Sequence, residues 1–414
     1  MADNLWSIQR NLIAASPALE SFVAALHSYA SGLSTTPSNL QQLPITPAAA
    51  SAASGTTDNA AQHDAKSSAA GTGSATTAAP TTRKFKWATS MDSTFKFDHA
   101  TAIPHPDIAD IQWSTDVIGV DRSEGGAGGV FFVQTKRGAV VIKASRTLAP
   151  ELFASLLCLR LQVAAPRSRV VSTSSEEGAQ LLASLKQVDP SWRVITNLFD
   201  QACLLVQDYI PGTVLSGLDY TTATAVFGSE VEDNATPEEA ERIRSLGRLL
   251  VVDTLLNNGD RLPLFWDNQG NPSNIMISRA NAHSFVSIDT RLTGIAESSP
   301  LLAPYISRVA ALTARVLGKN DKVLDAFSTL RQLIASYIAF DIGEKGARAM
   351  QEGFESAVRE CIAQRVAISS EMRRWAATFH EIGDGQHHKF IDTANLNLDF
   401  VDRVLDAFEN SQPK

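Results

Sequence analysis

Three oxygen-bearing side chains, Asp260, Asn274 and Asp289, fall within one short stretch of the chain, and one amine, Lys143, lies far upstream of them. A carboxylate can orient a hydroxyl and accept its proton. An amide oxygen and a second carboxylate can hold Mg²⁺ against phosphates, and an ammonium can neutralise phosphate charge. Together these are the parts of a phosphoryl transfer with ATP as donor. Taken singly, each has a plainer explanation. Asn-Gly-Asp is a turn, Asn271-Pro272 starts another, and an Asp after a strand often caps the next element. A lone strand-end lysine is usually left in water. As a set they are assigned here as catalytic Asp260 and Lys143, with Asn274 and Asp289 as the metal ligands.

The surrounding stretches have the patterns needed to position them. Thr236-Pro237-Glu238-Glu239 reads as a helix start: Thr caps, Pro has its φ preset, and the acids face the helix dipole. Its apolar face, with Ile243, Leu246, Leu250, Val251 and Leu255, delivers Asn257 to Asp260 at the far end. Asp253 on that helix is expected to be structural, facing the loop or solvent. Strand-like runs over 274–277 and 284–288 follow, with Asp289 at the exit of the second. Upstream, 116–120, 130–133 and 139–143 read as three strands, the last pair joined by a Lys136-Arg137-Gly138 turn. Between the first two strands lie Gly125, Gly126, Gly128 and Gly129. Four glycines in five residues let backbone N–H groups turn towards a phosphate. Pro150-Glu151 opens a helix with Leu152, Leu156, Leu159 and Val163 expected on one face.

Gly259-Asp260-Arg261-Leu262-Pro263, Trp266, Gly270-Asn271, Asn274-Ile275-Met276 and Ser287-Ile288-Asp289 resemble the actin-fragmin kinase catalytic domain. That family is an outlying relative of protein kinases and phosphoinositide kinases. The interval from Asp260 to Asn274 is wider than in the common kinase loop, and the Arg follows the Asp instead of preceding it. Val140-Val141-Ile142-Lys143 is similar to the kinase VAIK strand. The resemblance implies that Lys143 contacts the α/β-phosphates and pairs with Glu151, and that Gly125, Gly126, Gly128 and Gly129 cover the nucleotide. It also implies that backbone groups of Gln207, Asp208 and Tyr209, at the join of two lobes, meet the adenine. The implied substrate is a protein: actin, or actin complexed with an actin-binding protein. The family's β-propeller repeats are absent. Thr290-Arg291 stand where many kinases have Phe-Gly, which points to a kinase without the usual activation-loop switch.

The bulk numbers exclude some classes. A net charge of −8 argues against a nucleic-acid partner, which calls for concentrated Lys and Arg. No stretch is long and apolar enough to span a membrane. The start of the chain lacks a secretory signal. Cys158, Cys203 and Cys361 lie far apart in apolar runs, as buried thiols of a reducing, cytoplasmic setting do.

The expected fold is therefore α+β, two-lobed and protein-kinase-like. Residues 1–34 read as a helical arm, and 35–83 as a low-complexity, disordered tether. Residues 84–208 read as a small β-rich lobe. Residues 209–414 read as a mostly helical lobe, with helices over 301–317, 321–340, 346–367, 370–380 and 396–410. The His380-Glu381, Asp384, His387, His388 group reads as a polar connection and not as a metal site. Two rival functions remain: a lipid or small-molecule kinase, suggested by the Gly-Asp-Arg order, and a pseudokinase scaffold.

Overall fold

The computed structural model describes residues 95–413 except 124–128, 145–147, 191–197, 199–200, 229–235, 281–283, 319–322 and 383–395. The arm expected over 1–34, the tether over 35–83 and the side chains of His380, Glu381, Asp384, His387 and His388 lie outside the described residues.

One wall of the molecule is an antiparallel sheet of order β1-β2-β3-β5-β4. Its strands are β1 (Val117–Arg122), β2 (Val130–Thr135), β3 (Gly138–Lys143), β4 (Ser168–Ser172) and β5 (Cys203–Asp208). Period-two patterning sets its faces. Phe131 and Val133 of β2 are fully buried, whereas Val130 and Phe132 are only half-buried. Helix α2 (Glu176–Val188), capped by Ser175, covers the inner face. Val120, Phe131, Val140, Ile142, Leu181, Leu185, Leu204 and Val206 meet there in a core of their own.

Helix α1 (Leu148–Arg160) follows β3 in sequence but does not join that core. Leu152, Phe153, Leu157 and Cys158 pack into a much larger core, made mostly by the helical body but joined by Val170, Cys203 and Leu205 from the other face of the sheet. The helix starts at Leu148, earlier than Pro150, and ends at Arg160. Of the expected face, Leu152 and Val163 are buried and Leu156 packs against the same core, while Leu159 is half-buried. Phe153, Ala154 and Leu157 are buried as well, so the buried surface is wider than the expected stripe. A helix buried on most sides shows no helical hydrophobic period to read.

The body is organised on α4 (Pro237–Leu256), preceded in the chain by the short strand β6 (Gly212–Val214) and α3 (Tyr220–Phe227). Thr236 and Glu239 form the reciprocal cap that the sequence announces, and Asn257 ends the helix in the left-handed region at φ 50°. Helix α7 (Gly343–Ala363) crosses α4 backbone to backbone. A Cβ on Gly247 would lie 2.0 Å from the Met350 carbonyl oxygen, and one on Gly353 would lie 2.0 Å from that of Arg244. A small sheet, β6-β7-β8, adds β7 (Ile275–Ser278) and β8 (Phe285–Ser287) beneath the cleft. Asn274 closes a 3₁₀ turn over Pro272–Asn274, just ahead of β7, because Asn271 accepts from the Ser273 N–H and Pro272 opens the turn.

Helices α5 (Leu302–Leu317), α6 (Asp325–Ile338), α8 (Arg365–Ile382) and α9 (Leu398–Asn410) complete the body. The break between α7 and α8 falls at Gln364, not over 367–370. Helix α8 grips α1: Arg160 Nε donates to Glu371 at 2.7 Å, and the Phe153 and Trp375 rings meet edge to face at 5.9 Å. Among the described residues no helix is long and apolar enough to cross a membrane. The fold is α+β, two-lobed and kinase-like.

Candidate active site

Lys143 ends β3 opposite Val130 on one side and Leu205 on the other, so sheet register fixes where its side chain begins. Its ammonium donates to Glu151 Oε2 at 3.3 Å and to Asp289 Oδ1. Burial alone would lower the lysine's pKa. The two carboxylates outweigh it and hold the group firmly protonated, above its ordinary value. Asp289, just past β8, has a left-handed backbone at φ 51°. The Lys143 charge, working against burial, holds its carboxyl below the ordinary value.

Asp260 and Asn274 form the second half of the site. Asn274 Nδ2 donates to Asp260 Oδ2 at 3.1 Å and to its carbonyl at 3.2 Å. Asp260 is open to solvent, yet the protein crowded about its carboxyl raises its pKa, an effect that Arg261 and the Asn274 amide oppose.

The residue that sequence reasoning missed is Arg261, fully buried. Its Nη1 pairs with Asp253, and its Nε donates to the Asn274 carbonyl at 3.2 Å. Its Nη2 donates to Ser287 Oγ at 2.9 Å, to the Ile288 carbonyl at 2.8 Å and to Thr290 Oγ1. One guanidinium thus ties α4, the turn bearing Asn274 and the exit of β8 into a single body. Asp253 has no exposed surface, and burial pushes its pKa up to about 6 against the pull of Arg261. Asn258 Nδ2 donates to it at 3.0 Å. A signal was present: a carboxylate amid Leu249-Leu250-Val251-Val252 and Leu255-Leu256 needs a buried cation.

A cleft between the sheet and the body is lined by Lys143, Glu151, Asn274 and Asp289 together with Val130 and Val141 above and Met276 and Ile288 below. None of these four was assigned to the site from the sequence, although Val141, Met276 and Ile288 sit inside the quoted motifs, because an apolar side chain beside a motif residue reads as core. Asp260 stands at the edge, joined to the cleft through Asn274. Gln207, Asp208 and Tyr209 line the far end. The Gln207 amide donates to Ser168 Oγ at 2.8 Å, and the Asp208 carboxylate accepts from Arg167 at 2.7 and 2.9 Å. The Asp208 N–H donates to the Arg167 carbonyl at 3.0 Å and is therefore taken. Tyr209 is turned to His99. Gly125, Gly126 and Gly128 lie outside the described residues. Gly129 has φ 79°, a conformation that suits glycine, and its carbonyl accepts from the Ala144 N–H at 3.2 Å.

The donor chemistry fits a hard cation. Mg²⁺ takes one or two protein oxygens and completes its shell with phosphate and water. Asn274 and Asp289, which both line the cleft, would supply such a pair, and no closed cage of three or more His, Cys, Asp or Glu occurs among the described residues.

The model of the actin-fragmin kinase catalytic family matches residues 90–353 of the chain, well over half of it. A Dictyostelium discoideum protein named "Putative actin-fragmin kinase" is 26% identical over 287 residues, which make up 64% of this chain and 65% of that relative. Helices α8 and α9 lie beyond the family match.

Proposed function

The chain belongs to the actin-fragmin kinase catalytic family, and on that premise we propose that it transfers the γ-phosphate of ATP to Ser or Thr hydroxyls of a protein, with actin or an actin-bound complex as substrate. One observation carries the reading: Lys143, Glu151, Asn274 and Asp289 converge on a single cleft, with Asp260 hydrogen-bonded to Asn274. The cleft's apolar walls suit a flat base, and backbone at 207–209 borders it. Glu151 orients the Lys143 ammonium, which binds the α/β-phosphates. Asn274 and Asp289 would hold Mg²⁺, which supplies charge neutralisation on the phosphates when bound. Asn274 Nδ2 fixes the Asp260 carboxylate. Asp260 accepts the hydrogen bond of the attacking hydroxyl and takes its proton as the new O–P bond forms and the bond to ADP breaks. Three buried free thiols suit a cytoplasmic enzyme.

The test is phosphate transfer from ATP to actin by wild type, Asp260→Asn and Lys143→Ala. Asp260→Asn should lower kcat by about 10²–10⁴ while still binding ATP, and Lys143→Ala should weaken ATP binding as well. Equal activity in all three removes these residues from the mechanism.

A further inference from the structure

The departure at Thr290-Arg291 places a charge where the common kinase sequence has a glycine. Thr290 turns inward, with its hydroxyl bonded to Arg261 and Ser287. Leu292 is also buried, and its N–H donates to the Pro150 carbonyl at 3.3 Å. Thr293 is strapped to the end of α4, with its N–H on the Leu256 carbonyl at 2.9 Å and its hydroxyl on the Asn257 carbonyl at 2.8 Å. The segment after Asp289 therefore runs along the stretch that carries Asp260, anchored at both ends. Between the inward Thr290 and Leu292, Arg291 is left exposed, and it makes no ion pair or hydrogen bond among the described residues. Its charge is felt at both Asp260 and Asp289 and pulls in the lowering direction at each, at Asp260 against the larger upward push of burial and at Asp289 behind Lys143.

The other cations nearby are committed. Arg261 follows Asp260 directly, but its donors are spent inward on Asp253, Asn274, Ser287, Ile288 and Thr290. Lys143 is held between Glu151 and Asp289. Phosphoryl transfer develops charge on the γ-oxygens, and a positioned cation there strongly accelerates it.

We infer that Arg291 is a catalytic residue whose guanidinium contacts the transferred phosphoryl group between Asp260 and Asp289 and stabilises the charge on it during transfer. It takes no proton and forms no bond. The inference rests on the kinase reading above.

The full chain with Arg291→Ala or Arg291→Lys is assayed with Mg-ATP for phosphate transfer to actin and phosphate release to water. Binding of ADP alone and of ADP with aluminium fluoride, a mimic of the transferring phosphoryl group, is measured alongside. Arg291→Ala should lose about 10²–10³ in kcat, keep its ADP affinity and lose the tightening that fluoride gives. Arg291→Lys should recover part of both. If the wild type turns over ATP and Arg291→Ala matches it, the inference fails and the kinase reading stands. If Arg291→Ala raises only KM for actin, with kcat intact, the guanidinium binds the protein substrate and the inference fails. A wild type that turns over no ATP at all overturns both.

Discussion

The sheet lobe and the helical body are each built around one buried arginine, and the two do different work. Arg169 on β4 is 1% exposed; its Nε donates to the Ile108 carbonyl at 2.8 Å, and its terminal nitrogens grip Glu177, which also accepts from Trp113 Nε1 at 2.8 Å. That ties a strand, a covering helix and an incoming loop together, all remote from Asp260 and Asn274. Arg261 in the body has no exposed surface, and it holds the segments bearing Asn274 and Asp289 against α4. The same side chain, equally buried, braces the sheet in one lobe and the candidate site in the other. The partners differ too. Glu177 keeps 32% of its side chain in solvent, whereas Asp253 keeps none.

That difference sets the largest expected effect. Arg261→Met leaves Asp253 as a buried, uncompensated acid and should cost about 3–5 kcal/mol of stability. Transfer activity should vanish even at temperatures where the variant is folded, because the turn of Asn274 and the exit of β8 lose their common anchor. Arg169→Met should cost less, about 1–3 kcal/mol, because water can reach the Glu177 carboxylate it leaves behind. The folded Arg169→Met enzyme should keep its kcat. Urea unfolding and kcat measured well below each midpoint separate the two. Comparable loss of kcat in both variants would show that the sheet's arginine also reaches the chemistry.

A smaller effect tests the seam where α1 meets α8. Helix α1 follows the sheet in sequence and packs in the large core shared by the body and one face of the sheet, so Glu151 is carried by a helix set between the two lobes while its partner Lys143 is carried by the sheet. Arg160, at the end of α1, is held by Glu371 of a helix outside the family match. Glu371→Gln keeps an acceptor but removes the charge. It should cost about 0.5–1 kcal/mol in stability and lower kcat a few-fold through the position of Glu151. An unchanged kcat would mean that α8 braces the fold without serving the site.

Much of this was legible because it is local. The Thr236 cap, the strand ending in Lys143 and the order Asp260, Asn274, Asp289 are each written in a few adjacent residues. What escaped was tertiary. Arginine reads as a surface residue, so the burial of Arg261 could be inferred only from the unmatched carboxylate of Asp253 in an apolar helix. The place of α1 between sheet and body escaped because a helix buried nearly all round offers no stripe that names its neighbour. In the sequence, Arg291 marks only the absence of the usual activation-loop switch; its exposure depends on Thr290 and Leu292 being turned inward on either side of it.

The smallest effect is one of pH, and it sharpens the contrast between the cation that spans the lobes and the carboxylate at the body's edge. Burial holds the crowded carboxyl of Asp260 above the ordinary aspartate value of 3.8 and pushes that of Asp253 up to about 6. Asp289 lies below 3.8, held there by Lys143. As pH falls, Asp253 and Asp260 take up protons first, which weakens the anchor on Arg261 and removes the proposed proton acceptor. The contribution of Asp289 to stability has the opposite position: it is present above 3.8, the value in the unfolded chain, and is lost only as pH falls through the depressed folded value. The acid limb of kcat should therefore lie above pH 3.8, with activity halved at its midpoint while the Lys143–Asp289 pair is still intact. A kcat profile from pH 8 to 4, with circular dichroism followed over the same range, decides it. A limb at or below 3.8, or one that coincides with unfolding, would mean that Asp260 is not the acceptor whose titration limits transfer.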